Sequence, residues 1–265
     1  MSDSSSTILV RKERGVMWIT LNRPEVLNAL DLATLKKLQT VLKEAEFELE
    51  TKCVVITGMG RAFCAGADLQ SLKTRSASEG GLSLDADLRE GLNPIVSRIF
   101  NMEKPVIAMV NGVAAGAGMS IAFSCDLRII SVNARFVEAF AKVGLVPDSG
   151  ATFTMPRLLG LTKSMELAFT GDGLDSKEAE RLGIVNKVVL PQQLETETRL
   201  VAERLAAGPR GLGLSKRAIH RALSMDFDST LEYEANAQLI AGSTLDHKEG
   251  VAAFVEKRSP EFKGK

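Results

Sequence analysis

The sequence predicts an α/β fold whose first two thirds form parallel strands joined by helices and whose last third is helical. Three observations carry this. Val54 to Ile56 and Val106 to Val110 are short apolar runs without polar alternation, the mark of strands buried on both faces, and Leu127 to Ser131 reads as a third strand. The stretches between them are long enough for the right-handed helical crossovers that parallel pairing requires. From Ser164 onward the apolar pattern is helical, interrupted once by a short apolar break at Ile184 to Val189.

Taken in order, Met1 to Thr7 is a serine-rich polar start with no basic region followed by an apolar one, so it reads as a frayed tail and not as a secretory signal. Ile8 to Val10 and Val16 to Leu21 flank the polar Arg11 to Gly15 and suit a hairpin. Asp31 then opens a helix, with Leu32, Leu35, Leu38, Leu42, Ala45 and Leu49 at three- and four-residue steps. The strand at Val54 to Ile56 is stopped by Gly58 and leads into a glycine and alanine loop. Lys73 to Ser83 is polar and is expected to be mobile. Leu88, Leu92, Ile95, Val96 and Ile99 mark a second helix. Pro105 to Cys125, 21 uncharged residues between Lys104 and Asp126, has the length of a membrane span. Its Pro105, Asn111, Gly112, Gly116 and Gly118 punctuate it instead as strand, glycine turn and buried helix. Pro191, Gly208-Pro209 and Gly242 separate the C-terminal helices, and no internal repeat or low-complexity tract is visible.

The 33 Lys and Arg among the 265 residues balance 33 Asp and Glu, so net charge supplies no reason to bind nucleic acid or an anionic membrane. One Trp and one Tyr argue against an aromatic platform for single strands. Cys53, Cys64 and Cys125 are odd in number and lack metal-ligand spacing, which points to reduced thiols in a cytoplasmic setting. His220 and His247 lie in the helical last third without ligand-like spacing, so no metal is expected.

Two strand-to-helix junctions carry the unusual residues, at the place where an open parallel sheet puts its ligands. One is Gly58 to Asp68 and the other Asn111 to Ser120. Small side chains let a ligand approach the backbone, and the second loop runs into a helix whose first amides lack internal partners and attract negative oxygen. Tight helix–sheet packing would use the same small residues; two such loops on sequential strands favour a paired amide site. Neither loop ends in the Gly-Lys-Ser or Gly-Lys-Thr of a phosphate-cradling loop, and Gly112, Gly116 and Gly118 do not have dinucleotide-fingerprint spacing.

At these loops the sequence resembles the crotonase family, the enoyl-CoA hydratase and isomerase superfamily. The likeness runs through Leu21-Asn-Arg-Pro24, Leu27-Asn-Ala-Leu30, Gly60-Arg-Ala-Phe-Cys-Ala-Gly-Ala-Asp68, Lys104-Pro-Val-Ile-Ala and Asn111-Gly-Val-Ala-Ala-Gly-Ala-Gly. It continues in Cys125-Asp126, Gly144-Leu-Val-Pro147, Pro156-Arg-Leu-Leu-Gly160, Thr170-Gly171, Glu249-Gly-Val-Ala-Ala-Phe and Glu256-Lys-Arg258. The resemblance implies a spiral of repeated ββα units over residues 1–195, holding the acyl-CoA site, and a C-terminal helical trimerisation and lid region over 196–265. It implies a homotrimer or a dimer of trimers, an acyl-CoA thioester as substrate, and no cofactor beyond the coenzyme A moiety. The thioester carbonyl would sit between the amides of Ala67 and Ala117, beside Gly116. Coenzyme A contacts would fall at Val26, Ala65, Asp68 and Leu69, with Phe254 and Lys257 from the tail, of the same or a neighbouring subunit. Where the family often has a basic residue just after the first loop, this chain has Gln70.

Hydratases of the family carry two glutamates above the acyl chain, and at the matching positions stand Ser120 and Phe140. Two carboxylates position and activate a water, so their joint absence argues against efficient hydration. Asp148 occupies the place of the catalytic acid of the family's isomerases. One carboxylate in an apolar pocket can take a proton from one carbon and return it to another, and burial raises its pKa toward the useful range. Asp148 could instead cap a helix beginning near Ser149. Glu138, two residues before Phe140, would share a face with it if that segment is extended, and is a further catalytic candidate. A dehalogenase would want a histidine near the site and a dienoyl isomerase a second acid at Phe140. The expectation is an acyl-CoA isomerase, similar to those of phenylacetate breakdown or to the 3,2-enoyl-CoA isomerases. The alternatives are an enoyl-CoA hydratase and a non-catalytic member that binds acyl-CoA or RNA.

Overall fold

A computed structural model describes residues 6–71 and 84–265. The expected mobile segment at Lys73 to Ser83 and most of the expected frayed start lie outside the described residues.

β1 (Ile8–Glu13) and β2 (Val16–Leu21) pair antiparallel as the expected hairpin. From β2 the larger sheet runs in parallel through β3 (Cys53–Gly58), β5 (Val106–Val110), β7 (Leu127–Ser131) and β10 (Lys187–Val189), in the order β1-β2-β3-β5-β7-β10. Every residue of β3 and β5 is buried, as their uninterrupted apolar letters require. A smaller sheet of three-residue strands, in the order β4-β6-β8-β9, holds β4 (Ala62–Cys64), β6 (Val113–Ala115), β8 (Arg135–Val137) and β9 (Gly173–Asp175). Each of the pairs β3–β4, β5–β6 and β7–β8 therefore gives one strand to each sheet before a helix follows. The result is a spiral of strand-strand-helix turns.

Asp31 caps α1 (Leu32–Phe47), its carboxylate accepting the Thr34 amide at 2.8 Å. Leu35, Leu38, Leu42 and Ala45 face the core, and Leu38→Ala should cost about 2–5 kcal/mol. The helix ends at Phe47, which leaves Leu49 beyond it and 78% exposed. The second predicted helix is α2 (Leu84–Asp87), a π turn over Leu88–Leu92 and α3 (Asn93–Asn101). The uncharged stretch before Asp126 is β5, β6 and α4 (Ala117–Ser124), and α4 is buried along its whole length. Among the described residues no helix is long and apolar enough to cross a membrane.

α4 needs partners at both ends. The guanidinium of Arg128, itself buried, donates to the carbonyls of Cys125 (2.7 Å) and Ala122 (3.5 Å) at its C-terminal end, and to Ile184 at 2.6 Å. The N-terminal end faces the cavity described below. The helical pattern does not wait for Ser164: α5 (Ala151–Thr170) starts earlier and is kinked at Gly160, φ 75°. α6 (Ser176–Arg181) follows β9, and α7 (Leu194–Ala206) packs on β3, β5 and β7. α8 (Gly211–Ala222), α9 (Phe227–Gly242) and α10 (Leu245–Glu256) close the chain. The three cysteines are buried free thiols whose burial pushes each pKa up to about 12.

Candidate active site

A cavity of about 320 Å³ opens between the two glycine loops, and α1, α2, the π turn and the segment before α5 supply its walls. Those walls are largely apolar, with Leu35, Leu88, Leu92, Phe140, Leu145 and Val146 among them.

The first loop is held by backbone pairing to Leu30, whose amide donates to the Gly66 carbonyl (2.8 Å) and whose carbonyl accepts from Asp68 (3.0 Å). In that parallel bridge the N–H of the intervening Ala67 points away from its strand partner and donates to no described residue. In the second loop Gly116 adopts φ 50° and ψ −123°, a conformation closed to ordinary side chains, and turns the chain into α4. The helix ladder begins with Ser120 donating to the Gly116 carbonyl (3.0 Å), so the amide of Ala117, the first helical residue, has no internal partner. The loops meet here: a Cβ added to Gly66 would stand 3.4 Å from the Ala117 nitrogen. Both Ala67 and Ala117 line the cavity. Two unpaired amides and a helix N-terminus are an environment for a carbonyl oxygen that gains negative charge.

Asp148 lines the same cavity. Its carbonyl accepts from the Ala151 amide (2.9 Å) and from the Ser120 hydroxyl (3.1 Å), and its carboxylate Oδ1 accepts from the Ser149 hydroxyl at 2.7 Å. Burial pushes the carboxyl above its ordinary range, against the Ser149 bond that pulls it down. Helix capping is not its role. α5 starts at Ala151 behind Gly150, with no side-chain cap.

Phe140 is 7% exposed, and its ring edge would lie 3.8 Å from a Cβ on Gly116, so an aromatic face closes the cavity beside the second loop. Glu138 is fully buried, and neither carboxylate oxygen has a hydrogen-bond partner among the described residues. Burial, and then the charge of Asp148, raise its pKa, while the nearby amides of Phe140 and Ala141 pull it down. β8 ends at Val137 and Phe140 has helical backbone angles, so the extended segment that would put Glu138 and Phe140 on one face is not formed. Glu138 is not among the cavity-lining residues.

A family model described as enoyl-CoA hydratase/isomerase matches residues 11–265. The chain belongs to this family. It is 42% identical over 262 residues to a protein of Escherichia coli K12 named 1,2-epoxyphenylacetyl-CoA isomerase, covering 97% of this chain and 98% of the relative. It is 39% identical to a short-chain-enoyl-CoA hydratase of Clostridium acetobutylicum, with 97% of each chain covered. A crystal structure of an enoyl-CoA hydratase from Bacillus anthracis superposes with a TM-score of 0.92 at 33% identity, over 98% of this chain and 100% of the other. The crotonase fold read from the sequence is thereby shown, as is an enzyme of the hydratase/isomerase family.

Within this hydratase/isomerase fold, Ala65, Ala67, Asp68, Leu69, Gly116, Ala117 and Asp148 come together around the cavity. Asp68 is built into the loop: although burial pushes its carboxyl up, the Ser71 amide (3.1 Å) and Arg23 (3.0 Å) hold it below the ordinary range. Val26 stands outside the lining, in a turn whose next two residues, Leu27 and Asn28, have left-handed angles. Phe254, 85% exposed, lines a second recess of about 380 Å³ with Phe262 and His247, and Lys257 caps α10 with a left-handed backbone; neither borders the first cavity. Leu84, Asp87, Leu88 and Leu92 of the lining fall in the segment from Gln70 to Leu92 expected to shape the pocket, whereas sequence reasoning missed the wall residue Leu145 and the hydrogen bond from Ser149 to Asp148.

Proposed function

We propose that this chain is an acyl-CoA isomerase that moves a double bond in an enoyl-CoA by shuttling one proton through Asp148, while the amides of Ala67 and Ala117 hold the thioester oxygen. The observation that carries the reading is the placement of Asp148. It borders the same apolar cavity as the two unpaired amides, while Ser120 and Phe140 stand at the hydratase glutamate positions. Removing a proton beside a thioester sends the C–H electron pair onto the carbonyl oxygen as an enolate. Each preorganised amide in such a site is worth about 10²–10³ in rate. A carboxyl raised by burial is a stronger base than one in water and can return the proton at the other end of the enolate. Nothing beyond the coenzyme A thioester is needed for that transfer. The similarity to the protein named 1,2-epoxyphenylacetyl-CoA isomerase supports isomerisation over water addition and admits a cyclic acyl group, although that name describes a ring epoxide and not an enoyl chain.

The second reading, water addition to 2-enoyl-CoA, is favoured by the relatives named as hydratases and would need Glu138 to turn toward the cavity. The test follows 3-enoyl-CoA and 2-enoyl-CoA side by side by absorbance, in wild type, Asp148→Asn and Glu138→Gln. The isomerase reading expects 3-enoyl-CoA conversion that is lost in Asp148→Asn. Strong water addition that survives Asp148→Asn contradicts it.

The reading includes self-association as a homotrimer or dimer of trimers. α9 buries none of its residues and leaves Phe227 and Leu239 about three-quarters exposed, a face that a second copy would cover.

A further inference from the structure

We propose that Ser149 is a positioning residue that assigns the two oxygens of Asp148 different tasks, leaving Oδ2 alone to carry the proton. The inference rests on the isomerase reading above and names a residue that this reading does not use.

Three observations converge on it. Ser149 is only 3% exposed, yet its hydroxyl is spent on the neighbouring carboxylate, 2.7 Å from Oδ1, and not on any backbone group. Its φ of 52° is left-handed, a conformation that serine rarely adopts and that glycine would hold without strain. A serine kept where glycine fits better points to a use for its hydroxyl. Finally, Oδ2 accepts no hydrogen bond from any described residue, while the Asp148 carbonyl is pinned by the Ala151 amide and the Ser120 hydroxyl. Main chain and Oδ1 are therefore fixed, and the remaining oxygen belongs to a residue that borders the cavity.

The consequence for the transfer is specific. A proton leaves substrate carbon for Oδ2 and the C–H pair moves onto the thioester oxygen. A proton is then delivered from Oδ2 to the other carbon as that pair re-forms a C–H bond, restoring the Asp148 carboxylate; the fraction that exchanges with solvent on Oδ2 between the two transfers labels the product in D₂O. Donation from Ser149 favours the charged form, so it tunes the base as well as aiming it. Among the described residues few other charges face Asp148. α4 has none, and the first turn of α5, Ala151 to Thr154, has none. Glu138 lies close enough to feel its charge, and Lys142 sits in the intervening 3₁₀ turn. Of the other cavity carboxylates, Asp31 and Asp68 pair with Arg23, and Asp87 ends α2.

The experiment compares Ser149→Ala, which keeps the strained backbone without the hydroxyl, with Ser149→Gly, which removes both strain and hydroxyl. Rates of 3-enoyl-CoA conversion are measured against pH, with Asp148→Asn alongside. In both serine variants the acidic limb of kcat/KM should move up by about one pH unit and kcat should fall about tenfold, with KM little changed. Limbs that stay in place in both variants overturn the proposal. So does a shift confined to Ser149→Ala, since backbone conformation would then be the cause. If Asp148→Asn keeps wild-type activity, the isomerase reading itself fails and this inference falls with it. An inactive Asp148→Asn with unshifted serine variants removes this inference alone.

Discussion

The hydroxyl of Ser120 lies 3.1 Å from the carbonyl of Asp148 and 3.3 Å from that of Gly116, so one buried side chain fastens the acid-bearing turn to the loop that presents the Ala117 amide. The distance between the group proposed to move the proton and the group proposed to hold the oxygen is thus set inside the protein. Leu145 and Val146, on the outer part of the acid-bearing turn, are exposed and give it little anchorage of their own.

Ser120→Ala removes that fastening without touching the cavity wall. Near-attack geometry is steep in distance, and kcat for 3-enoyl-CoA should fall about 10- to 100-fold with KM nearly unchanged. Steady-state kinetics check this, and a rise in KM at constant kcat would speak against it.

Ala117→Pro tests the amide directly. Proline at the first helical position keeps the helix but lacks the N–H. Circular dichroism should be native-like while kcat drops about 10²–10³-fold, the cost of one lost oxyanion donor.

Glu138 gives a stability prediction whose sign follows from its environment. Burial, and then Asp148, raise its folded-state pKa above the unfolded value, so ionisation costs stability only in the folded chain. Its penalty is absent below the ordinary glutamate range, about pH 4, and grows as pH rises toward the raised value. Glu138→Gln should melt with wild type near pH 4 and above it at pH 8. Parallel melting curves at all pH values would show that the carboxyl is not desolvated.

Arg128 supports α4 from the end opposite the cavity. Arg128→Met leaves the Cys125 and Ile184 carbonyls buried without a donor, so stability should fall by at least about 2 kcal/mol in denaturant unfolding. A midpoint unchanged from wild type would mean that other groups satisfy those carbonyls.

How much of this was legible in the letters depends on length scale. β3 and β5 announced themselves because strands buried on both faces must be apolar at every position. The strands of the small sheet did not, since three residues are too few to show a period of two. α5 begins ahead of the expected start at Ser164, with Pro156 inside it and Gly160 at a kink, two residues that weaken a helical pattern in the letters. The two glycine loops drew attention because small residues before a helix are a local signal, but picking Ala67 and Ala117 within them took the family resemblance. Asp148 needed the family resemblance. Nothing in the sequence marks Ser149 as left-handed; that conformation is visible only in the folded turn ahead of α5.

The central claim is that two main-chain amides and one aspartate together make and protonate an enolate. The most direct measurement is proton NMR of an enoyl-CoA in D₂O with wild type, Ala117→Pro and Asp148→Asn, reading deuterium entry at the carbons flanking the double bond. The account predicts entry with wild type, at least a hundredfold slower entry with Ala117→Pro, and none with Asp148→Asn. Undiminished exchange in Asp148→Asn would contradict it.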